Sequence, residues 1–545
     1  MRIFQQFIII SLLVLSQNLM AQSNRFEQIK NLELIDLIYM NLDKYYVDEA
    51  KVGEISKAAI DAMLTELDPY TVYYHEANIE DYRLMTTGQY GGIGAMIRKT
   101  GDFVVIAEPY VDMPAHKAGL KAGDKIISID GRSMKNVDSD IVSEALRGPK
   151  GSSFILEYER PGEKITTVKI DRDEIKVPDV PYSGMIDESN KVGYIRLSSF
   201  TQTSSRSVRE AYMKLQEEGM KKFVLDLRGN GGGLLMESVN IVNFFVPNNT
   251  DIVTTKGRVL DENRTYKTRN TPIDLDIPIV VLVDEYSASA SEIVSGSLQD
   301  LDRAVVVGST TFGKGLVQRT IDLKYGAKMK LTISKYYTPS GRCVQKLDYY
   351  HKNEGKVDEV PDSLIKIFHT KNGREVIDGR GIEPDVKIEN EKFSRLTGTL
   401  MIENIVFDFA TEFVQKNPTI APAKEFQISD DLYKEFKTYV LKQDFDYKTA
   451  AQEQLEETYK VAKEEGYADL MKKEYEALLK VVSASKEKDL DLFKSQIKEL
   501  LSNEIVSRYY FQEGRVVNAF QDDKALKEAL DVLNDKKRYT SLLKP

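Results

Sequence analysis

The chain has 545 residues, too many for one ordinary hydrophobic core, so several domains are expected. With 42% hydrophobic and 29% charged residues it has the composition of a soluble globular protein. A net charge of −10, with no long Lys/Arg run, argues against nucleic acid and anionic membranes as partners. The single cysteine, Cys343, excludes an intrachain disulfide and a cysteine-rich metal site, and His75, His116, His351 and His369 show no metal-ligand spacing. No metal and no other cofactor is expected.

The N-terminus reads as an export signal. Arg2 supplies a positive charge, Phe7–Leu15 is apolar apart from Ser11, and Ala21 precedes the polar Gln22-Ser23-Asn24. The apolar run is shorter than the roughly 20 residues a spanning helix needs. A signal over residues 1–21, cleaved to leave no membrane anchor, is therefore expected. Leu19 is large for its place, and the rival reading is a buried N-terminal element. Export without disulfides points to the periplasm or another bacterial envelope compartment.

Four segments follow. Residues 24–86 read as helical, with Leu32, Ile35, Tyr39 and Leu42 at helical spacing and a break at Asp68-Pro69. Residues 87–172 read as short strands with glycine turns, Asp138 capping a short helix that runs to Leu146. Residues 173–391 alternate strand and helix: strands at 191–197, 221–227, 277–284 and 304–308, with helices at 203–219 and about 289–300, an α/β core. Beyond Gly315 the pattern turns to alternating strands. Residues 392–545 contain three glycines and many charges, with apolar stripes such as Met471, Tyr475, Leu478, Val482 and Phe493, Ile497, Leu500, a helical accessory domain.

Three motifs in the α/β segment carry chemistry: LDLRGNGGGLL (225–235), DEYSASASEI (284–293) and TTFGKGLVQ (310–318). Each has an ordinary reading. Ser289-Ala-Ser-Glu292 is a capping box, and the glycines are a strand-to-helix turn. A dinucleotide fingerprint fails because position 234 is Leu. Gly308 through Lys314 begins like a phosphate-binding loop, but Gly315 stands where a hydroxyl must hold Mg²⁺, the residues beyond read as a strand, and the acidic strand comes before the loop. A nucleophile–base reading joins all three. A serine needs a base, no histidine lies in these motifs, and a desolvated lysine can serve. A helix N-terminus and glycine-loop N–H groups can stabilise developing negative charge. The residues alone leave Ser287, Ser289 and Ser291 open.

The ordered set LDPYT (67–71), DLRGNGGG, SASASE, TFGKGLVQ, LTISKYYTPSGR (331–342) and DGRGIEPDV (378–386) resembles the carboxyl-terminal-processing (tail-specific) serine peptidases. The resemblance implies a crotonase-like α/β superhelical core with an inserted PDZ-like domain. It implies Ser289 as nucleophile, Lys314 as base, Gln318 orienting the amine, and Ala290 and Gly233 as oxyanion-hole N–H donors. Glu292 is expected to buttress the serine helix. Gly92, Ile93, Gly94 and Ala95 match the PDZ loop that binds a peptide's terminal carboxylate, so the partners implied are protein or peptide substrates with free C-termini. An inactive PDZ-type binding protein of the same fold is the rival, against which the intact Ser/Lys/Gln set speaks. Residues 346–376 are an insertion without assigned role, and the helical segment offers a surface for self-association or an adaptor.

Overall fold

The computed structural model describes residues 25–75, 79–353, 355–389 and 392–545. The expected export signal lies outside them. The chain divides into two compact units, one running to Glu76 and including Gln318–Thr332, the other comprising Ala77–Val317 and Ile333–Pro545. No helix of the described residues is long and apolar enough to cross a membrane.

The first unit holds helices at 25–45 and Val52–Thr65, as the apolar spacing predicts. It also holds a strand that helical periodicity did not indicate. Val72–Tyr74 pairs antiparallel with Lys328–Lys330. The strand is introduced by Asp68, whose carboxylate accepts the N–H groups of Tyr70 and Thr71 at 2.8 Å each, a side-chain turn that halts the helix.

In the second unit, strand Gln89–Gly92 pairs with Asp173–Lys176 and so ties together the two ends of the first β-rich segment. Gly92, the first residue of the expected PDZ loop, is thus the last residue of a strand. The segment itself is a sheet ordered Ala95–Thr100, Phe103–Pro109, Lys125–Ile129, Ser153–Glu159, Thr166–Asp171, with Arg132–Ser133 beside the third strand. Val104, Ile106, Ile126, Phe154 and Leu156 form its core with Val142 and Leu146 of helix Ser139–Leu146. Asp138 occupies the N-cap position of that helix but makes no side-chain capping bond.

The α/β core is a sheet ordered Tyr182–Asp187, Val192–Arg196, Lys222–Asp226, Ile279–Val283, Val305–Gly308, Val386–Lys387. Its first pair is antiparallel and the rest are parallel. Alternate residues point to opposite faces. Ile279, Val281 and Val283 pack with helices Ser204–Glu217, Leu235–Asn243 and Ala290–Asp300. Val280 and Leu282 pack with Leu526, Ala529, Val532 and Leu533 of helix Lys524–Asn534. A sheet buried on both faces explains the near-continuous Val/Ile/Leu runs of its strands. The inserted stretch forms two small hairpins, Leu347–Asn353 with Lys356–Glu359 and Ile367–His369 with Glu375–Ile377. The C-terminal helices gather around Leu396, Phe409, Phe436, Ile497 and Leu501. Helix Ala468–Val482, by contrast, fully buries none of its stripe: Met471, Tyr475 and Val482 are half-buried, and Tyr475 stacks on Tyr459 at 3.9 Å.

Candidate active site

Strands Lys222–Asp226, Ile279–Val283 and Val305–Gly308 are adjacent and parallel. Loops leaving the same edge of a parallel sheet converge beyond the carboxyl ends of its strands. The three motifs are those loops, so residues far apart in sequence become neighbours.

The backbone separates the three serines. Ser287 and Ser291 are fully buried. The Ser287 hydroxyl donates to Leu227 O at 2.8 Å, and that of Ser291 to Asn230 O at 2.8 Å. Ser289 is half-buried and caps helix Ala290–Asp300 with φ 56° and ψ −111°. A serine at positive φ outside the left-handed helical basin costs about 1–3 kcal/mol and persists only where its surroundings impose it. The turn lifts Ser289 to the start of the helix, where first-turn N–H groups favour negative charge.

Glu292 holds the serine and lysine motifs together. It is fully buried. Its Oε2 accepts the N–H of Ser289 at 2.8 Å and that of Lys314 at 2.8 Å. Its Oε1 accepts the Thr311 hydroxyl at 2.6 Å and the Gly313 N–H at 2.7 Å. Burial pushes the Glu292 carboxyl upward in pKa, and these four donors oppose the push. The expected buttress of the serine helix therefore also fixes the lysine loop. Lys314 is half-buried. A Cβ on Gly313 would lie 2.5 Å from Lys346 Cβ, and one on Gly315 2.8 Å from Gln345 N, so both flanking positions demand glycine. Strand Leu316–Asp322 follows, leaving no helix N-terminus to hold a phosphate.

The glycine loop lies directly against the serine. Asn230 organises it: Nδ2 donates to Leu197 O at 2.8 Å, Oδ1 accepts Gly232 N–H at 2.9 Å, and the carbonyl accepts Ala288 N–H at 3.0 Å. A Cβ on Gly232 would come within 2.8 Å of Ser289 Cβ and 2.9 Å of Ala290 N. Gly233, at φ 146°, is exposed and bridges to Phe200, while Ala290 is fully buried. Gln318 belongs to the first unit, where its Nε2 donates to the Thr332 hydroxyl at 3.2 Å. That hydroxyl donates to Asp68 Oδ1 at 3.2 Å, and Thr332 N–H to Thr71 Oγ1 at 3.2 Å. Asp68 and Thr71 had no chemical part in the sequence reading; here they anchor the strand that Gln318 touches.

Comparison with known proteins is decisive about family. Residues 191–349 match the profile "Peptidase family S41". A carboxy-terminal-processing protease of Bartonella bacilliformis is 35% identical over 344 residues, covering 62% of this chain and 78% of that protein. The chain belongs to the S41 carboxy-terminal-processing protease family. A probable CtpA-like serine protease of Staphylococcus aureus is 34% identical over 370 residues, 67% of this chain. The match covers 66% of that relative, just under two thirds of its length. The structure of a photosystem II D1 C-terminal processing protease aligns at 28% identity and TM-score 0.37, over 65% of this chain and 86% of that one.

Two further regions of this S41 chain match known domains: residues 105–160 a PDZ domain, and 396–533 a "Probable PDZ-protease, C-terminal helical domain". Upstream of the matched PDZ residues, Gly92 ends one strand and Ala95 opens the next. Buried Ile93 and Gly94, at φ 70°, make the turn between them. A Cβ on Gly94 would strike Met113 Cβ at 2.5 Å. Ala95–Thr100 is the edge strand of its sheet, the position from which a bound peptide strand can be added.

Proposed function

We propose that this S41 chain is an endopeptidase that cuts protein substrates near their C-termini with a Ser289–Lys314 dyad. The observation that carries this is the Glu292 carboxylate, one oxygen of which accepts the N–H groups of both Ser289 and Lys314. Nucleophile and base are thereby anchored to a common point, as concerted proton transfer requires. Neutral Lys314 takes the Ser289 hydroxyl proton as Oγ attacks the scissile carbonyl. The N–H groups of Ala290 and Gly233 bind the oxyanion of the tetrahedral intermediate. The lysine then gives its proton to the leaving amine, and water, deprotonated by the same lysine, hydrolyses the acyl-enzyme. Gln318 orients the amine. Replacement of Ser289 and Lys314 tests this scheme, as argued in the Discussion.

The turn Gly92–Ala95 binds the substrate's terminal carboxylate through its N–H groups, and the tail lies along Ala95–Thr100 as an added strand. Cleavage falls upstream of the captured end. A substrate peptide with an amidated C-terminus is expected to be cut at least about tenfold more slowly than its free acid, since a charge-assisted hydrogen-bond set is lost. Equal kcat/KM for the two forms would show that the turn does not select carboxylates.

The protein acts in the bacterial envelope, delivered there by the signal in residues 1–21. N-terminal sequencing of material from the native host is expected to begin near Gln22, and a retained Met1 would contradict export by cleavage.

A further inference from the structure

An ion pair links the C-terminal helical domain to the glycine loop. Arg228 opens that loop. Its Nε donates to Asp226 Oδ1 at 2.9 Å and its Nη2 to Asp226 Oδ2 at 2.6 Å. Its outer edge is held by Asp523, with Nη1 donating to Oδ1 at 2.9 Å and Nη2 to Oδ2 at 2.7 Å. Asp226 is fully buried and also accepts the Tyr194 hydroxyl at 2.5 Å. Burial alone would raise its pKa, but Arg228, Arg196 and its hydrogen bonds bring it down to about 2. The Arg228 and Asp523 side chains are 19% and 11% exposed, so solvent weakens this pair little.

Asp523 is placed by a docked element. It caps helix Lys524–Asn534, its Oδ1 accepting the Leu526 N–H at 2.9 Å. That helix buries its apolar side on the peptidase sheet, and Phe520, three residues earlier, packs edge-on against Tyr194 at 5.0 Å.

The loop needs such anchors. Gly229, Gly232 and Gly233 all have positive φ, and glycine offers the widest choice of backbone conformations. The direction of each N–H is set by what grips the loop from outside. Asn230, the Gly233–Phe200 bridge, and Asp284, which accepts Gly229 N–H at 2.9 Å, all come from the peptidase core. Arg228 is gripped from both the core and the helical domain. We propose that Asp523 is a positioning residue: by holding Arg228 it fixes the start of the glycine loop and hence the Gly233 N–H that meets the oxyanion. This rests on the Ser289–Lys314 reading above, and it gives the helical domain a part in turnover beyond stability.

Asp523→Asn separates the two duties of this residue. Asparagine caps a helix as well as aspartate does, but it cannot accept both Arg228 donors as a carboxylate does. Asp523→Ser also caps, and is too short to reach Arg228. On a free-acid peptide both are expected to lower kcat about tenfold, less than removal of an oxyanion donor. KM should stay within about twofold, with Tm lowered by no more than about 5 °C, because Arg228 loses an acceptor for Nη1 but keeps Asp226. Asp523→Glu should restore much of the rate. Arg228→Lys, which keeps the charge but loses the fork, should copy the defect. With Ser289→Ala inactive as the control, wild-type kcat in Asp523→Asn or Arg228→Lys overturns the role of Asp523. So does a loss of kcat that follows Tm and is not rescued by Asp523→Glu. A Ser289→Ala protein as active as wild type overturns the peptidase reading, and the role of Asp523 with it.

Discussion

Ser289→Ala and Lys314→Ala are each expected to lower kcat by about three orders of magnitude or more, with the fold retained. Neither change opens a cavity of consequence, since both side chains are half-buried and what Glu292 grips at each position is the backbone N–H. The double variant should be little worse than either single one, because members of a catalytic unit do not contribute additively. Lys314→Arg is the sharper test. It keeps the positive charge and most of the stem, but a guanidinium does not deprotonate in proteins and cannot accept the Ser289 proton. It should be as inactive as alanine. Steady-state hydrolysis of one free-acid peptide, with circular dichroism as a fold check, measures all of this. Near-normal turnover by Lys314→Arg would remove lysine from the mechanism.

Glu292→Ala is expected to abolish activity and to destabilise the peptidase core by about 4 kcal/mol. The substitution strands four buried donors, the N–H groups of Ser289, Gly313 and Lys314 and the Thr311 hydroxyl. Each unsatisfied donor costs about 1–3 kcal/mol, partly relieved by water entering the space left behind. Glu292→Gln should behave differently. With its amide nitrogen in place of Oε1, the Thr311 oxygen, which already takes the Ile382 N–H, can accept the amide, and the two donors Oε1 served, the Thr311 O–H and the Gly313 N–H, lose that partner while the hydroxyl hydrogen can turn elsewhere. The remaining oxygen still serves Ser289 and Lys314. A folded enzyme of reduced activity, destabilised by about 1–3 kcal/mol, is therefore expected. Thermal unfolding and peptide hydrolysis on the two variants check the order. Wild-type stability and rate in Glu292→Ala would show that the carboxylate does not hold the site.

The sequence was informative where function is carried by local pattern. The buried strands were legible because a sheet covered on both faces demands continuous Val/Ile/Leu. Helices Ser204–Glu217 and Ala290–Asp300 fall where the spacing puts them. Glycines 313 and 315 flank Lys314 for the close approach that their setting requires. What periodicity could not carry was contact between distant segments. Strand Val72–Tyr74 exists because Lys328–Lys330 offers it an edge. Val386–Lys387 completes the core sheet by pairing with Val307 and Gly308. The stripe on Ala468–Val482 has helical spacing but is only half-buried.

The same limit applied to the site. SASAS shows three equivalent serines to a reader of spacing alone. They differ only once Leu227 O and Asn230 O have taken the hydroxyls of Ser287 and Ser291 and the turn has driven Ser289 to positive φ. Glu292 looked like half of a capping box because its other donors, Thr311, Gly313 and Lys314, lie on a separate strand exit. Asp523 carried no signal at all, being an ordinary N-cap aspartate until helix Lys524–Asn534 is docked beside Arg228.

The central claim is that a covalent acyl-enzyme forms on Ser289. Rapid acid quench of the full chain turning over a free-acid peptide, followed by mass mapping of the peptide spanning 284–303, tests it most directly. The account predicts a mass increase equal to the acyl fragment, located on Ser289 and missing from Lys314→Arg. An adduct on Ser287 or Ser291, or one that forms at the same rate in Lys314→Arg, would contradict it.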